Sequence, residues 1–397
     1  LILEMLMAGS VISKYWGVYL NDFMRLMGWN ANTNLTFGSF HIDIAPIIIV
    51  AFFTTLLVFG TKIGARVDGA MTVLKIAIVF FVVIVGFFYV KASNFTPFIP
   101  PSQPASTVEG SSAVTGVMTQ PLWQFATGMT PSVYGVPGIL SGAALVFFAF
   151  IGFDVVATAS EETKNPHKNV PLGIGVGMLL IIVMYMLVAV VTTGMVSYAD
   201  LAKQDSPSLA TAFELVGADW AAKIISFGIV LGLATVVMVL LLGLTRIVFA
   251  MSRDGLLPRG LSKTGKHGTP AALQIVVGAV VALVAAFFDI GVLSDMVNIG
   301  TLSAFTLVAI SIPIMRKKRP DLPRAFKMPG SPWIPILIAV ANFWLMLNLS
   351  VLTWIRFVVW LVVGFAIYFG YGYWHARLGK GDLTETLSAE TDKAVNG

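Results

Sequence analysis

About ten runs of mostly apolar residues run through this chain, each close to the roughly 20 residues a helix needs to cross a bilayer. They occupy Leu1–Leu20, Asp43–Gly60, Ala70–Val90, Gly138–Ser160 and Val170–Val196, then Ala221–Ala250, Pro270–Phe288, Met296–Met315, Trp333–Leu352 and Arg356–Tyr373. Hydrophobic residues make up 57% of the chain and charged residues only 11%, against about half and about a quarter in a soluble domain. Too little polar surface is left to face water, so lipid must cover much of the molecule. Helices satisfy their own backbone hydrogen bonds in hydrocarbon. The fold class read from the pattern is therefore all-α and transmembrane.

The loops give an orientation. One alternate set carries Lys62 and Arg66, Lys164 and Lys168, then Arg246, Arg253, Arg259, Lys263 and Lys266, and finally Arg316 to Arg319 with Arg324 and Lys327. Arg377, Lys380 and Lys393 follow in the tail, whereas the opposite loops hold only Arg25, Lys91, Lys203, Lys223 and Arg356. Positive residues stay on the cytoplasmic side, which puts the C-terminus there and predicts a multi-pass protein. The net charge of +5 is small and its basic residues sit in short loops, so no nucleic-acid partner is implied. The segment Leu1–Leu20 lacks the basic start and small-residue cleavage site of a signal peptide. It reads as a membrane helix entered partway, with more chain expected upstream.

Two segments stand apart from the spans. Ala92–Pro137 is a long loop rich in Pro, Ser, Thr and Gly, predicted outside. Loops of this length tend to be functional or flexible; a flexible insertion is the expectation, a lid or partner surface the alternative. Residues 1–377 thus form one membrane domain, and the polar tail 378–397 is expected to be disordered and cytoplasmic.

Gly138–Ser160 carries the most chemistry. Its centre reads FFAFIGFD, from Phe147 to Asp154. Gly152 lets the backbone leave helical geometry, and Asp154 suits the N-cap of a helix that restarts. A break exposes carbonyls from about Phe148 to Ile151, which lipid tolerates only where they line a polar cavity; such carbonyls can accept an ammonium group. The alternative is an intact helix with a buried, paired Asp154, at a cost of about 2.5–3.5 kcal/mol on insertion scales.

Lys75 lies about two turns inside its span. Burial of an ammonium would lower its pKa into a working range, and snorkelling to the interface is the competing reading. Glu4 is either buried and paired or interfacial, and Lys14 reads as a snorkelling residue. Glu161 and Glu162, beside Lys164 and Lys168, read as a solvated turn first and as a gate second. Gly173–Gly177 and Gly228–Gly232 are Gly-x-x-x-Gly spacings that allow close helix packing.

Signals for an enzyme are missing from the sequence. There is no cysteine, and His41, His167, His267 and His375 lie in loops or at span ends without the pairing a metal site or nucleophile relay needs. The chain has no phosphate-binding loop of the Gly-x-x-x-x-Gly-Lys-Ser/Thr kind.

The run FFAFIGFDVVATASEETKNPHKNVPLGI, Phe147 to Ile174, resembles the signature region of the amino acid–polyamine–organocation (APC) transporters, most closely the bacterial relatives of cationic amino-acid transporters. TRIVFAMSRDGLLP (Thr245–Pro258), VNIGTLSAF (Val297–Phe305) and LILE (Leu1–Glu4) resemble further segments in the same order. The resemblance implies a LeuT-like fold of two inverted five-helix repeats around a midplane site. In that frame Leu1–Leu20 is similar to the family's third helix and Gly138–Ser160 to its broken sixth. Helices one and two, the first of them also broken, are then expected upstream.

Position by position, the resemblance implies that Phe148, Ala149 and Ile151 offer backbone to a substrate ammonium at the Gly152 break. It implies an aromatic gate at Phe148 and the helix restart at Asp154. Lys75 matches a helix-five lysine associated with proton coupling, which tips its reading toward function. Glu4 and Tyr185 match residues near the site, while Thr235 and Leu240 face the side-chain pocket. A bulky apolar Leu240 favours a neutral amino acid. The implied activity is proton-driven amino-acid symport by alternating access at the cell membrane, with no cofactor beyond the proton gradient. An exchanger, or a non-transporting sensor or remnant, are the alternatives.

Overall fold

A computed structural model of the chain describes residues 2–29, 33–37, 40–59, 64–107, 116–153, 163, 165–204, 207–263, 270–321, 328 and 330–376. The helices are α1 (Ile2–Leu26), α2 (Ile44–Phe59), α3 (Gly64–Phe87), α4 (Leu122–Thr127), α5 (Gly135–Val146), α6 (Pro166–Met195) and α7 (Tyr198–Ala202). They continue with α8 (Leu209–Leu215), α9 (Asp219–Arg253), α10 (Ala271–Phe287), α11 (Ile290–Lys318), α12 (Trp333–Leu347) and α13 (Val351–Ile367). The only sheets among the described residues are two small antiparallel pairs, β1 (Asn34–Phe37) with β2 (Phe40–Asp43) and β3 (Gln103–Pro104) with β4 (Ser132–Val133).

Five described segments are long and apolar enough to cross a membrane unaided, in α3, α6, α9, α11 and the stretch Val351–His375; α2, α10, α12 and the stretch Gly135–Phe150 are shorter apolar helices. Their outward faces are apolar: Val73 and Ile84 on α3, Leu179 and Met186 on α6, and Val358 and Val362 on α13 are all exposed. Such faces have no solvent but lipid. Within the bundle, α1 carries Glu4 and Lys14 but is surrounded by protein, with Met5, Ala8 and Val11 in the main core.

The helix contacts contain an internal symmetry. The most extensive contact joins α1 to α9, and another joins α2 to α10. Exchange α1, α2 and α3 with α9, α10 and α11, and the other extensive contacts among these six map onto one another: α1–α11 onto α3–α9, α1–α10 onto α2–α9, and α1–α2 onto α9–α10. Alternating loop charge gives the members of each exchanged pair opposite directions through the membrane. This is the arrangement that two inverted repeats produce.

Several boundaries differ from the apolar runs. α1 continues past Leu20 because its polar last turns find partners: Asn21 with Thr33, Asp22 with Ser208, and Arg25 with Glu214 through two bonds of 2.8 and 2.9 Å. The run Trp333–Leu352 ends as a helix at Leu347, and α13 starts at Val351 rather than at Arg356. There Ser350 caps the helix, its Oγ accepting from the Thr353 N–H at 3.2 Å. α11 begins at Ile290, earlier than Met296. Lys14 does not snorkel: it is 9% exposed, ion-paired with Asp43, and donates to the Ala285 carbonyl at 3.0 Å.

The segment 92–137 has structure of its own in its described parts. Asn94 donates to the Gly194 carbonyl at the end of α6 at 2.8 Å, and β3 pairs with β4 just before α5. The turn before α4 is tied to the α12–α13 turn: Leu122 N–H donates to Leu349 and Val351 N–H to Gln120. Trp123 stacks on Trp344 with centroids 6.5 Å apart. The tail 378–397 lies outside the described residues.

Candidate functional site

The site begins where α5 stops. After Val146 the backbone tightens into a 3-10 turn over Phe147–Phe150. Ile151 is extended (φ −69°, ψ 140°), and Gly152 adopts φ +115°. That last conformation is essentially closed to residues with a Cβ. Gly138–Ser160 is therefore not one continuous helix in its described part, because the backbone turns out of helical geometry at Ile151–Gly152.

A broken helix leaves carbonyls that need donors. The Phe148 carbonyl accepts from the Ile151 N–H at 3.1 Å, and the Ala149 carbonyl accepts from the Tyr185 hydroxyl of α6 at 2.8 Å. One turn earlier, Asn298 of α11, fully buried, donates to the Leu145 carbonyl at 3.4 Å. A carbonyl has two lone pairs, so the Ala149 oxygen keeps one acceptor position beside Tyr185.

Aromatic rings hold both sides of the break. Phe305 on α11 contacts Phe147 at 6.1 Å and Phe153 at 5.1 Å, while Tyr185 meets Phe150 edge-on at 5.2 Å. Asn298 and Phe305 are seven residues apart, about two helical turns, so both lie on the α11 face toward the break. They were missed as site residues. The available signals were a lone amide in an apolar helix and its heptad spacing to an aromatic.

Phe148 and Ile151 pack on the main core, which includes Leu240 of α9, Met5 of α1 and Val297 of α11. Leu240 is 6% exposed and buried within this wall. Thr235, five residues earlier on α9, is also buried, and its hydroxyl donates to the Gly232 carbonyl at 2.9 Å. Lys75 of α3 lies against the same turn. A Cβ on Gly232 would come within 3.2 Å of its Cγ, and one on Gly228 within 2.4 Å of Ile78. The Gly228–Gly232 pair is thus the seat for Lys75 and Ile78, one turn apart on α3. Glu4 is buried at the start of α1, 1% exposed.

The structure thus gathers part of the predicted set. Phe148, Ala149, Ile151, Gly152 and Tyr185 meet at the break, Leu240 belongs to the core on which Phe148 and Ile151 pack, and the Lys75 stem and the Thr235 hydroxyl both approach Gly232. α6 packs on α3 and also supplies Tyr185. Asp154, Glu161, Glu162 and Lys164 lie outside the described residues. Among the described residues no three His, Asp or Glu side chains are grouped to hold a metal ion.

The sequence comparisons agree on a family. The family model described as amino acid permease matches residues 6–372. The branched-chain amino acid permease BcaP of Bacillus subtilis (strain 168) is 39% identical over 388 residues, covering 96% of this chain and 76% of that protein. A methylthioribose transporter of the same organism is 36% identical over 386 residues, with the same two shares. The vacuolar cationic amino acid transporter 4 of Arabidopsis thaliana is 34% identical over 281 residues, 70% of this chain and 42% of that protein. A match over nearly the whole chain, on a helical bundle with inverted internal symmetry and a broken helix, identifies the family. The chain belongs to the amino acid permeases of the APC superfamily: it has an all-α, LeuT-like fold and is a multi-pass membrane transporter of amino acids, not an enzyme.

Proposed function

We propose that the chain carries out proton-coupled symport of a neutral amino acid, by alternating access around the Gly152 break. The observation that carries this reading is the break itself: extended, left-handed backbone packed against the α1–α9–α11 core. The substrate ammonium binds carbonyl oxygens of Phe148–Ile151, including the remaining lone pair of Ala149. Its side chain lies against Phe148, Ile151, Thr235 and Leu240, a wall with little polarity to greet a second charge. Tyr185, Asn298 and Phe305 act as positioning residues. Glu4, buried near the start of α1, is assigned to the electrostatics of the site in this reading. A relative named as a branched-chain amino acid permease supports the same substrate class.

Lys75 is the coupling residue in this reading. Its stem rests on Gly232, whose carbonyl accepts the Thr235 hydroxyl. Protonation from one side and release to the other, linked to substrate binding, is a coupling free energy between two sites. Loop charge supports a cell-membrane orientation with the C-terminus and residues 378–397 cytoplasmic and residues 92–137 outside.

The test is uptake by the natural full-length protein in proteoliposomes, with labelled leucine, alanine and lysine, with and without an acid-outside gradient. Gradient-driven accumulation of leucine or alanine, with lysine excluded, is the expected result. Uptake only into vesicles preloaded with amino acid would replace symport by exchange. Accumulation of lysine in preference to leucine would overturn the substrate class.

A further inference from the structure

Basic residues are scarce on the face opposite the main basic loops, and two of the five, Lys91 and Lys203, line one open cleft of about 590 Å³. The cleft lies between the last residues of α3 and α6 and the short α7, and it also presents Phe88, Asn94, Ser197 and Asp200. Arg25, by contrast, is engaged by Glu214.

The rim is built rigidly. Lys91 N–H donates to the Gly194 carbonyl at 2.9 Å, and Asn94 Nδ2 donates to the same oxygen at 2.8 Å. These two bonds fix the turn that carries Lys91. On the other side the Ser197 hydroxyl caps α7 by accepting from the Ala199 N–H at 3.3 Å. Lys203 lies one turn from Asp200, with 3.3 Å between them. Among the described residues no partner holds the Lys91 ammonium, and that side chain is exposed. Two ammonium groups and one carboxylate leave the cleft with a net charge of one positive unit.

The same level of the bundle carries the aromatic residues of a membrane interface. Phe87, Phe88 and Trp220 are all exposed, Phe88 by 81%, and Trp220 meets Phe81 edge-on at 5.9 Å. A cationic cleft with an apolar lip at that depth matches a phosphate diester that carries an acyl chain.

We propose that this cleft holds the headgroup phosphate of an anionic glycerophospholipid, with Lys91 and Lys203 on its oxygens and Phe88 along its chain. The site is separate from the Gly152 break and does not depend on the coupling mechanism. The test is native mass spectrometry of the full natural chain in detergent, with phosphatidylglycerol or phosphatidylcholine added at equal concentration. The wild type should retain phosphatidylglycerol in preference. The Lys91→Gln/Lys203→Gln variant should retain it roughly thirtyfold less, the sum of two basic contacts near a membrane surface. Lys91→Arg/Lys203→Arg should retain it, and Lys223→Gln, outside the cleft, should change nothing. If the double Gln variant does not fold, Lys91→Gln alone should show about a fivefold loss. Equal retention by the Gln variants, or equal retention of phosphatidylcholine by the wild type, would overturn the proposal. Inorganic phosphate that binds with the same lysine dependence and is not displaced by phosphatidylglycerol would make this a free-anion site and overturn the lipid assignment.

Discussion

Replacing Gly152 by alanine isolates the backbone of the break from everything around it. Among the described residues no atom lies within 4 Å of the position its Cβ would take, so the substitution meets no steric clash with them. The whole cost is conformational: φ of +115° in a region nearly reserved for glycine costs a residue with a Cβ about 1–3 kcal/mol. Gly142, ten residues earlier in α5, supplies the control. It too has nothing within 4 Å of a Cβ, but it sits in regular helix, where alanine is favoured by roughly 0.5–1 kcal/mol. The two variants should therefore move in opposite directions in a denaturant titration in mixed micelles. Gly152→Ala should also raise KM for uptake, up to the roughly five- to 150-fold that 1–3 kcal/mol allows, whereas Gly142→Ala should leave it unchanged. If Gly152→Ala proves as benign as Gly142→Ala in both assays, the native backbone does not need the left-handed residue and the broken-helix account fails.

Three other outcomes follow from the same contacts. Tyr185→Phe removes the donor to the Ala149 carbonyl while keeping the ring on Phe150; it should cost about 0.5–1.5 kcal/mol, read as a KM increase of up to about tenfold. Gly228→Ala drives a methyl into Ile78 and should destabilise by about 1–3 kcal/mol; adding Ile78→Ala should recover part of that loss in thermal unfolding, and a double variant no better than additive would contradict the packing. Lys14→Met strands the Asp43 carboxylate, whose partner is a nearly buried ammonium. A loss of about 3–5 kcal/mol is expected for breaking such a pair from one side, with Lys14→Met/Asp43→Leu closer to the wild type in the same titration.

Apolar run length made most of the helices legible, because a span must be long and continuous wherever lipid touches it. Legibility failed where protein replaces lipid. α1 runs on through Asp22 and Arg25 because Ser208 and Glu214, nearly two hundred residues away, satisfy them; no local pattern signals that. Lys14 reads as snorkelling in the sequence for the same reason, since its partner Asp43 lies 29 residues on, at the end of β2. At the site, Gly152 announced itself as a small residue at the centre of an apolar run. Asn298 and Phe305 did not, because their role depends on which face of α11 turns toward α5. The segment 92–137 reads as loop by composition, yet its anchors to Gly194 and Leu349 are backbone carbonyls, which composition cannot encode.

The central claim is that one proton, handled by Lys75, travels with each neutral amino acid bound at the break. It is tested most directly by trapping a pH indicator inside proteoliposomes and adding leucine outside at a fixed acid-outside gradient, with the wild type and Lys75→Met side by side. The account predicts that leucine triggers acidification of the lumen in the wild type, and that Lys75→Met still binds and exchanges leucine but carries no proton with it. Undiminished leucine-driven acidification in Lys75→Met would contradict the account.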